Sequence, residues 1–248
     1  KGFIFFAIKG NKLNGENYIE EAVNKGAAVV VCSKNSKFKS NKIILIKTNT
    51  IRKLLSDVAS KFYKLKPRNI IAVTGTNGKT SVADYFYQIL NINNILAASI
   101  GTLGIKYKNK IIKNDLTSPD AITLHKNLEK LKKKNIDNVI IEASSHGLKQ
   151  SRLDNINFKA AIFTNFSQDH LDYHKTMKAY LNAKLTLFSK LLLKNSYIIS
   201  DKLIKEFLIL KKISKIKNLK LLDITSTINK IKNISASLPG QFQKKNLS

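Results

Sequence analysis

The sequence predicts an α/β fold built on a doubly wound, mostly parallel sheet. Short apolar runs typical of buried strands alternate along the chain with amphipathic segments typical of helices. This alternation is the pattern of parallel strands joined by crossover helices. The 248 residues are 43% hydrophobic, which is enough for one large domain or a domain and a half with a sizeable core. We expect two α/β regions, residues 1–66 and residues 67–248.

The first region alternates strands with helices. In order, its predicted elements are a strand at 3–8, a helix at 17–25, strands at 27–32 and 43–47, and a helix at about 50–64. We expect Tyr18, Ala22 and Val23 to face inward from the first helix. The segment "KLKPRN" follows, where Pro67 and the flanking charges interrupt the pattern. We interpret this segment as a linker.

The second region repeats the alternation over a longer stretch. In order, its predicted elements are a strand at 70–74, a helix at 79–91, a strand at 95–99, a helix over 118–135, strands at 138–143 and 160–166, a helix at 176–192, and short strands at "YIIS" and "KLLDI". The helix over 118–135 has the clearest signals. Ser118 can cap it and Pro119 suits its first turn. Leu124, Leu128 and Leu131 fall on one face, which we expect to be buried.

The charge balance leaves two interpretations of the composition. Lys and Arg total 44 against 16 Asp and Glu, a formal net charge of +28. One interpretation is a nucleic-acid-binding protein held by phosphate contacts. The other is a sequence drifted towards Lys, Ile and Asn. The basic residues are scattered, and only Arg52, Arg68 and Arg152 are arginines, whereas base recognition relies on arginine. Composition therefore favours drift, and we expect no specific nucleic-acid partner.

The remaining composition favours a cytoplasmic protein without membrane insertion. The single cysteine, Cys32, lies in the apolar run "AAVVVC" and can form no internal disulfide, which fits a buried thiol in a reducing compartment. No apolar run approaches the roughly 18 residues of a membrane span. The chain opens on Lys1 and goes straight into "GFIFFAIKG" without the regions of a signal peptide. We therefore expect the sequence to begin inside a domain.

The stretch "IIAVTGTNGKTSVADYF" predicts a phosphate-binding loop between a strand and a helix. The usual signature is G-x-x-x-x-G-K-[ST], but Val73 occupies the first glycine position here and the earlier glycine is Gly75. Gly75 and Gly78 allow a sharp turn, so that several backbone N–H groups can point at phosphate oxygens. Lys79 would reach the outer phosphates, and Thr80 would offer a hydroxyl to Mg²⁺ at the helix N-terminus. We interpret the loop as a shortened nucleotide-binding cradle.

Two further polar clusters follow predicted strands. "VIIEASSHGL" places Glu142 at the end of a buried strand, where a Mg²⁺ bound to the phosphates is a natural partner for a buried carboxylate. The neighbouring Ser-Ser-His run lacks the G-x-S-x-G elbow of a hydrolase, so ligand hydrogen bonding is the better interpretation. "TNFSQDHLDYH" packs Asp169, His170, Asp172 and His174 into six positions. Its spacing matches no usual zinc pattern, and a second Mg²⁺ site or a structural histidine stays open.

These clusters are expected to form one site. Predicted strands come before three polar segments, Thr74 to Ser81, Glu142 to His146 and Thr164 to His174, and we expect these strands to belong to the same sheet. Ligands of open parallel sheets bind beyond the carboxyl ends of the strands. A chance scatter of polar residues would not select that edge three times.

Five segments in this order and spacing resemble the Mur ligases of peptidoglycan synthesis. They are "TGTNGKTS", "LTSPD", "IEASSHGL", "TNFSQDHLDYH" and "YLNAKLTLF". The resemblance covers essentially the whole chain. It is greatest to the branch that adds the third residue to UDP-N-acetylmuramoyl-L-alanyl-D-glutamate. The family's own loop is G-T-N-G-K-[ST], which accounts for the departure at Val73. The segment from Phe3 to Val31 resembles the family's N-terminal, uridine-binding domain.

The resemblance implies roles for individual residues. ATP would be bound by Gly75, Thr76, Asn77, Gly78, Lys79, Thr80 and Ser81. The muramoyl-dipeptide would contact Thr117, Ser118, Ser144, Gln150 and Arg152. Catalysis would depend on Lys79, Glu142, His170 and Lys184. Mg²⁺ would be held by Thr80, Glu142 and His170, and Lys184, as a carbamate, would hold a second Mg²⁺. The role of Lys184 is implied by the resemblance alone.

The resemblance also implies an architecture and an activity. We expect residues 1–66 to be part of a UDP-substrate-binding domain and 67–248 to be a P-loop-type ATP-binding domain. The family's C-terminal amino-acid-binding domain would be absent, so that the chain would not complete catalysis alone. Asn11-Lys12 stands where the family commonly has His-Gln among the uridine contacts. We expect a monomeric ATP- and Mg²⁺-dependent ligase acting on small molecules, with diaminopimelate or lysine as the amino acid.

Three rival functions would share part of this pattern. A folate-polyglutamating ligase would share the loop and the metal residues, but usually lacks such an N-terminal domain and the "SSHGL" and "DHLDYH" segments. A sister Mur ligase that adds a dipeptide is closer, but the segment around Thr117 argues against it. A basic nucleic-acid-binding NTPase should show aromatic or arginine clusters, which the sequence lacks.

Overall fold

The computed structural model describes residues 2–10, 13–113, 116–225, 227 and 241–247. The chain divides into two compact units, Lys1–Val58 and Ala59–Ser248. The division falls inside a helix, just before the predicted linker. Asn11 and Lys12, the two residues that depart from the family's uridine contacts, lie outside the described residues.

The first unit is a small parallel sheet with a short helix. Its strands are β1 (Phe3–Phe6), β2 (Ala27–Ser33) and β3 (Ile44–Thr48), paired in the order β1-β2-β3. Helix α1 (Ile19–Asn24) packs with them, and α2 (Ile51–Phe62) spans the division between units. The core includes Ile19, Ala22, Val30 and the buried free thiol of Cys32. The prediction for Tyr18 was wrong: it ends a 3-10 turn before α1 and is 40% exposed.

The second unit is built on an eight-stranded sheet with the order β11-β10-β9-β4-β8-β5-β6-β7. The strands are β4 (Asn69–Thr74), β5 (Ala97–Gly101), β6 (Gly104–Tyr107), β7 (Lys110–Ile112), β8 (Asn138–Glu142), β9 (Phe158–Phe163), β10 (Leu192–Ser200) and β11 (Lys220–Asp223). All neighbouring pairs from β11 to β5 are parallel, and β6 and β7 add an antiparallel hairpin at one edge. The prediction of a mostly parallel sheet is confirmed.

Helices connect these strands. They are α3 (Lys79–Ile92), α4 (Ala121–Lys133), α5 (Ser145–Lys149), α6 (Leu171–His174), α7 (Met177–Thr186), α8 (Phe207–Lys217) and α9 (Gln241–Leu247). A π-helical turn, Leu187–Leu191, continues α7, so the helix predicted over 176–192 is present with a change of winding. Among the described residues, no helix has both the length and the apolar character needed to cross a bilayer.

Hydrophobic packing on both faces of the sheet explains the continuous apolar runs in its strands. Along β8, Val139 and Ile141 join the large core on one face, whereas Ile140 joins a smaller cluster with Val73 on the other. Strands buried on both sides have no polar alternation. Helix α3 covers the smaller cluster with Ala83.

Helix α4 packs on the opposite face, against the large core. Leu124, Leu128 and Leu131 are buried there, as predicted. The predicted cap was wrong. Asp120, not Ser118, is the N-cap of the helix, and its Oδ1 accepts a hydrogen bond of 3.0 Å from the Thr123 N–H.

Candidate functional site

The three polar clusters lie together at the carboxyl edge of the sheet. Strand β4 lies between β8 and β9, with Val73 paired to Glu142 and Thr74 paired to Phe163. The three strands therefore end at the same level. The residues that follow them are brought to one edge, where ligands of parallel sheets bind.

The phosphate-loop segment turns sharply at two glycines. Gly75 has φ +146° and Gly78, just before α3, has φ +85°. Residues other than glycine rarely adopt these values. A Cβ added to Gly75 would lie 1.9 Å from the Thr164 Oγ1 and 3.0 Å from the Asn165 carbonyl oxygen. The loop thus passes so close to the residues after β9 that only glycine fits.

Hydrogen bonds attach the loop to the segment after β9. The Thr76 N–H donates to the Asn165 carbonyl at 3.0 Å, and the Asn77 N–H donates to Asn165 Oδ1 at 2.9 Å. Thr164 Oγ1 donates to the Asn77 carbonyl at 2.6 Å. Ser81 follows in the first turn of α3. These bonds hold the loop in a defined shape before any ligand binds.

Lys79 begins α3 and reaches back over the loop. Its Nζ donates to the Gly75 carbonyl at 3.0 Å and to the Thr76 carbonyl at 2.8 Å. Burial lowers the pKa of Lys79, while the carboxylates of Glu142 and Asp169 oppose that shift. Carbonyl oxygens and carboxylates favour the protonated form, so a cation lies where anionic ligand oxygens would approach.

Glu142 is a buried carboxylate, 1% exposed, at the end of β8. Its Oε2 accepts hydrogen bonds from Thr80 Oγ1 at 2.9 Å and Thr102 Oγ1 at 3.1 Å, and its Oε1 accepts from the Thr102 N–H at 2.8 Å. Gly101 leaves room for it, since a Cβ there would lie 2.0 Å from Glu142 Oε1. Sequence reasoning missed Gly101 and Thr102, although they follow a predicted strand in "GTLG".

The hydroxyl residues assigned to the substrate lie beside Glu142. Thr117 Oγ1 is 3.1 Å from Thr102 Oγ1. Ser118 Oγ donates to the Glu142 carbonyl at 2.7 Å and lies 3.0 Å from Ser144 Oγ. Ser144 caps α5, accepting from the Gly147 N–H at 3.1 Å. The segment after β7 is therefore joined to the end of β8 by hydroxyl groups.

Arg152 and Gln150 continue this polar surface beyond α5. Arg152 Nη1 donates to the Ser118 carbonyl at 2.7 Å, and Nη2 donates to Gln150 Oε1 at 2.7 Å. Gln150 Nε2 in turn donates to Tyr173 Oη at 3.1 Å. The structure thus brings together all five residues that the resemblance assigned to the muramoyl-dipeptide. Tyr173 was not singled out from the sequence.

His170 lies in a strained position at the start of α6, with φ +51°. Its Nε2 is 3.3 Å from Asp169 Oδ2, and its ring centroid is 4.9 Å from that of His146. Burial and the neighbouring His170 lower the pKa of His146. A non-glycine residue at positive φ is a feature often found at functional sites.

His174 has a different environment. It is buried, and its Nε2 lies 3.0 Å from Ser145 Oγ. Burial and the positive field of nearby His146 lower the pKa of His174 to about 4, so the ring is neutral at physiological pH. Within the described residues, no three side chains of His, Cys, Asp and Glu lie together in a group that could hold a metal ion.

Lys184 lies under the loop, in α7, with only 1% of its surface exposed. Its Nζ donates to the Gly75 carbonyl at 2.6 Å and lies 4.4 Å from the centroid of the Tyr180 ring. Burial, reinforced by the charge of Lys79, lowers the pKa of Lys184 to about 7. Its amine is therefore largely neutral just above neutral pH, unlike an ordinary lysine.

A cavity of about 570 Å³ opens beside the loop. Apolar side chains of Ile162, Ile199 and Ile224 line it, together with the backbone of Gly78. Asn246 of α9 also lines it, and Lys245 of the same helix forms an ion pair with Asp201. An apolar pocket next to a phosphate cradle can take the base of a nucleotide.

Two family models match this chain. Residues 73–248 match a model described as the Mur ligase middle domain. Residues 1–63 match a model described as the catalytic domain of the Mur ligase family.

Two similar curated proteins carry the name UDP-N-acetylmuramoyl-L-alanyl-D-glutamate--2,6-diaminopimelate ligase. The one from Rickettsia conorii is 40% identical over 243 residues, which cover 96% of this chain and 50% of the relative. The one from Zymomonas mobilis is 44% identical over 190 residues, which cover 77% of this chain and 39% of the relative. The chain spans about half the length of the first of these relatives.

Two solved structures are also similar to this chain. A UDP-N-acetylmuramoyl-L-alanyl-D-glutamate--2,6-diaminopimelate ligase superposes with a TM-score of 0.76 at 27% identity, over 90% of this chain and 46% of that one. The MurF ligase of Thermotoga maritima, solved with ADP, gives a TM-score of 0.53 at 15% identity, over 91% of this chain and 48% of that one. The second likeness concerns the fold alone.

Proposed function

Because the chain belongs to the Mur ligase family, we propose that it acts in the ATP-dependent addition of diaminopimelate to UDP-N-acetylmuramoyl-L-alanyl-D-glutamate. The observation that carries the proposal is the convergence of the phosphate loop, Glu142 and the hydroxyls of Thr117 and Ser118 at one sheet edge. The names of its relatives favour diaminopimelate over lysine as the amino acid.

The proposal assigns a ligand to each part of the second unit. The N–H groups of the loop from Gly75 to Ser81 bind the phosphates of ATP, and Lys79 leaves the loop carbonyls to neutralise the outer ones. The cavity beside Gly78 takes the adenine base. Opposite the loop, Ser144 and Arg152 bind the muramoyl-dipeptide, whose carboxylates suit a guanidinium.

Mg²⁺ is the proposed cofactor, and the donors near Glu142 suit it. The Thr80 hydroxyl and the Glu142 carboxylate are 2.9 Å apart, and Mg²⁺ prefers oxygen ligands of this kind. His170 is a further proposed metal partner, and Lys184, as a carbamate, is proposed to hold a second Mg²⁺. When bound, the cation withdraws charge from phosphate oxygens and lowers their repulsion towards an incoming carboxylate.

The chain's own residues perform three tasks in the proposed reaction. The glutamate γ-carboxylate attacks the γ-phosphorus of ATP, giving an acyl phosphate and ADP. The amine of diaminopimelate then attacks the acyl carbon, forming the amide and releasing phosphate. The loop amides hold the phosphates in line, Lys79 offsets the repulsion between two anions, and Arg152 holds the substrate in place.

The first unit is proposed to belong to the part of the enzyme that binds the UDP portion of the substrate. Its strands β1, β2 and β3 are parallel, and a polar cavity of about 390 Å³ lined by Lys9, Asn14 and Ser33 lies at their carboxyl ends. We further propose a monomer acting in the cytoplasm, without a specific nucleic-acid partner.

The test is a phosphate-release assay on the full-length protein with Mg·ATP and the muramoyl-dipeptide. We expect release that depends on the dipeptide and is fastest with diaminopimelate. Lysine and D-alanyl-D-alanine serve as competing amine donors, and a folate with glutamate serves as the control for the polyglutamating alternative. Release with the folate pair but not with the muramoyl-dipeptide would overturn the proposal.

A further inference from the structure

A chain of hydrogen bonds leads from α6 to the segment before α4. Tyr173 Oη accepts from Gln150 Nε2 at 3.1 Å, and Gln150 Oε1 accepts from Arg152 Nη2 at 2.7 Å. Arg152 Nη1 then donates to the Ser118 carbonyl at 2.7 Å. The Gln150 side chain therefore links the Tyr173 hydroxyl to Arg152, which is the only arginine among the residues assigned to the substrate.

Tyr173 and Arg152 hold the two ends of the Gln150 amide. An amide has a donor end and an acceptor end, and rotation by a half turn exchanges them. With Tyr173 Oη accepting from Nε2, the acceptor Oε1 faces Arg152, where it can hold one edge of the guanidinium. Because a guanidinium only donates, Arg152 selects the end of the amide that faces it, and the Tyr173 hydroxyl holds the other end. Tyr173 thus anchors the side chain that holds one edge of the Arg152 guanidinium.

The ring of Tyr173 is itself held by the imidazoles beside the phosphate loop. Its centroid is 4.1 Å from that of His146, with the planes tilted by 37°, and 4.9 Å from that of His174. His146 in turn is 4.9 Å from His170. Aromatic contacts of this kind fix ring positions. Tyr173 therefore connects the rings of His146 and His174 to the segment that carries Gln150 and Arg152.

We propose that Tyr173 is a positioning residue, which orients Arg152 through the Gln150 amide to receive a carboxylate of the muramoyl-dipeptide. The inference rests on the proposed function and adds a residue that the family resemblance did not assign. A planar guanidinium binds a carboxylate through two parallel N–H groups, and its alignment matters more than its charge alone.

The partial exposure of these groups allows an effect on substrate binding to be distinguished from an effect on folding. Tyr173, Gln150 and Arg152 are all half-buried, so water can replace a lost hydrogen bond between them at small cost to stability. Substrate binding is more sensitive, because a guanidinium that is held less firmly must be ordered further each time a substrate binds. The loss of the hydroxyl should therefore appear in the affinity for the dipeptide.

The experiment is Tyr173→Phe in the full-length protein, which keeps the ring and removes only the hydroxyl. We expect the KM for the muramoyl-dipeptide to rise about three- to tenfold, the effect of one lost hydrogen bond. The KM for ATP and kcat should stay within about twofold of wild type by the same reasoning, because the loop is untouched. Tyr197→Phe, on β10, is the matched control and should change none of these values.

A double-mutant cycle shows whether Tyr173 acts through Gln150. If it does, Tyr173→Phe should have no further effect in a Gln150→Leu background. Effects that multiply, an unchanged KM in Tyr173→Phe, or an equal rise in the KM for ATP would each overturn the inference. Wild-type protein that binds ATP but does not use the dipeptide would overturn the proposed function itself, and the inference with it.

Discussion

Replacing Glu142 with glutamine should lower kcat by about 10²–10³-fold, the usual cost of removing one electrostatic stabiliser from an active site. The carboxylate accepts hydrogen bonds from Thr80 and Thr102, and it supplies the negative charge proposed to hold Mg²⁺. The glutamine amide has the same shape, and threonine hydroxyls can accept as well as donate. The fold should therefore persist while the cation site is lost.

The measurement is the initial rate of phosphate release against Mg²⁺ concentration, with circular dichroism as the check on folding. Glu129→Gln, on α4 where Glu129 pairs with Lys133, is the matched control and should retain wild-type rates. A Glu142→Gln protein with normal turnover and a normal Mg²⁺ requirement would remove Glu142 from the proposed metal site.

The Lys184→Met variant should lose activity and become more stable, which is an unusual combination. The wild-type amine is buried, and its pKa falls to about 7 from an ordinary value near 10.5. Burying a charge-bearing group destabilises the folded state at pH values where the unfolded chain keeps the proton. Methionine fills the same space without that penalty. Turnover should fall at least about 10²-fold because a proposed catalytic group is lost.

The sign of the pH effect follows from the lowered pKa. Below about pH 7 the full penalty on the stability of wild type applies, because the folded and the unfolded states both hold the proton. As the pH rises towards about 10.5 the penalty shrinks, because the folded state has already lost the proton and the unfolded state increasingly loses it too. The stability advantage of Lys184→Met should thus be on the order of 2–4 kcal/mol near pH 7 and shrink towards pH 10. Urea unfolding at both pH values measures it. An advantage that grows with pH would contradict this account.

The same lowered pKa supports the proposed carbamate. A neutral amine adds to CO₂ to give a carbamate and a proton, whereas an ammonium ion has no lone pair to do so. Wild-type protein in ¹³C-bicarbonate should show a carbamate signal by NMR that strengthens as the pH rises through 7. The signal should be absent from Lys184→Met and retained in Lys190→Met, a control at an exposed lysine. A signal that survives in Lys184→Met would place the carbamate elsewhere.

Much of the fold could be predicted because burial leaves a direct pattern in the sequence. Strands β4, β8 and β9 appear as continuous apolar runs because helices cover both faces of the sheet, and the leucines of α4 mark its inner face. The position of the site followed from the same pattern. The carboxyl ends of parallel strands lie at one edge, so residues after three such strands were expected to share that edge. They are neighbours because β4 lies between β8 and β9.

Other features depend on tertiary contacts that no local pattern reports. Tyr18 has the spacing of an inward residue, yet the chain forms a 3-10 turn there and leaves it exposed. Ser118 is a good helix cap by type, but its hydroxyl bonds to the Glu142 carbonyl and Ser144 instead. The antiparallel hairpin of β6 and β7 and the helix α8 were not predicted, because their short or lysine-rich segments lack clear periodicity.

The site itself was only partly predictable. The phosphate loop and Glu142 carry their chemistry in residue type and position. Lys184 resembles every other lysine in a chain of this composition, and only burial beneath Gly75 distinguishes it. Gly101 and Thr102 support Glu142 from a neighbouring strand, and Tyr173 supports Gln150 from α6. Such partnerships arise from folding and could not be derived from the segments separately.

The central claim is that the loop from Gly75 to Ser81 binds a nucleotide, and calorimetric titration of Mg·ATP at physiological salt tests it most directly. Wild type, Lys79→Ala and the exposed-lysine control Lys126→Ala would be compared, with a short oligonucleotide as a second ligand. We expect saturable ATP binding in wild type and Lys126→Ala, its loss in Lys79→Ala, and only weak oligonucleotide binding that salt removes. Equal ATP affinity in Lys79→Ala, or tight oligonucleotide binding without ATP binding, would contradict the account.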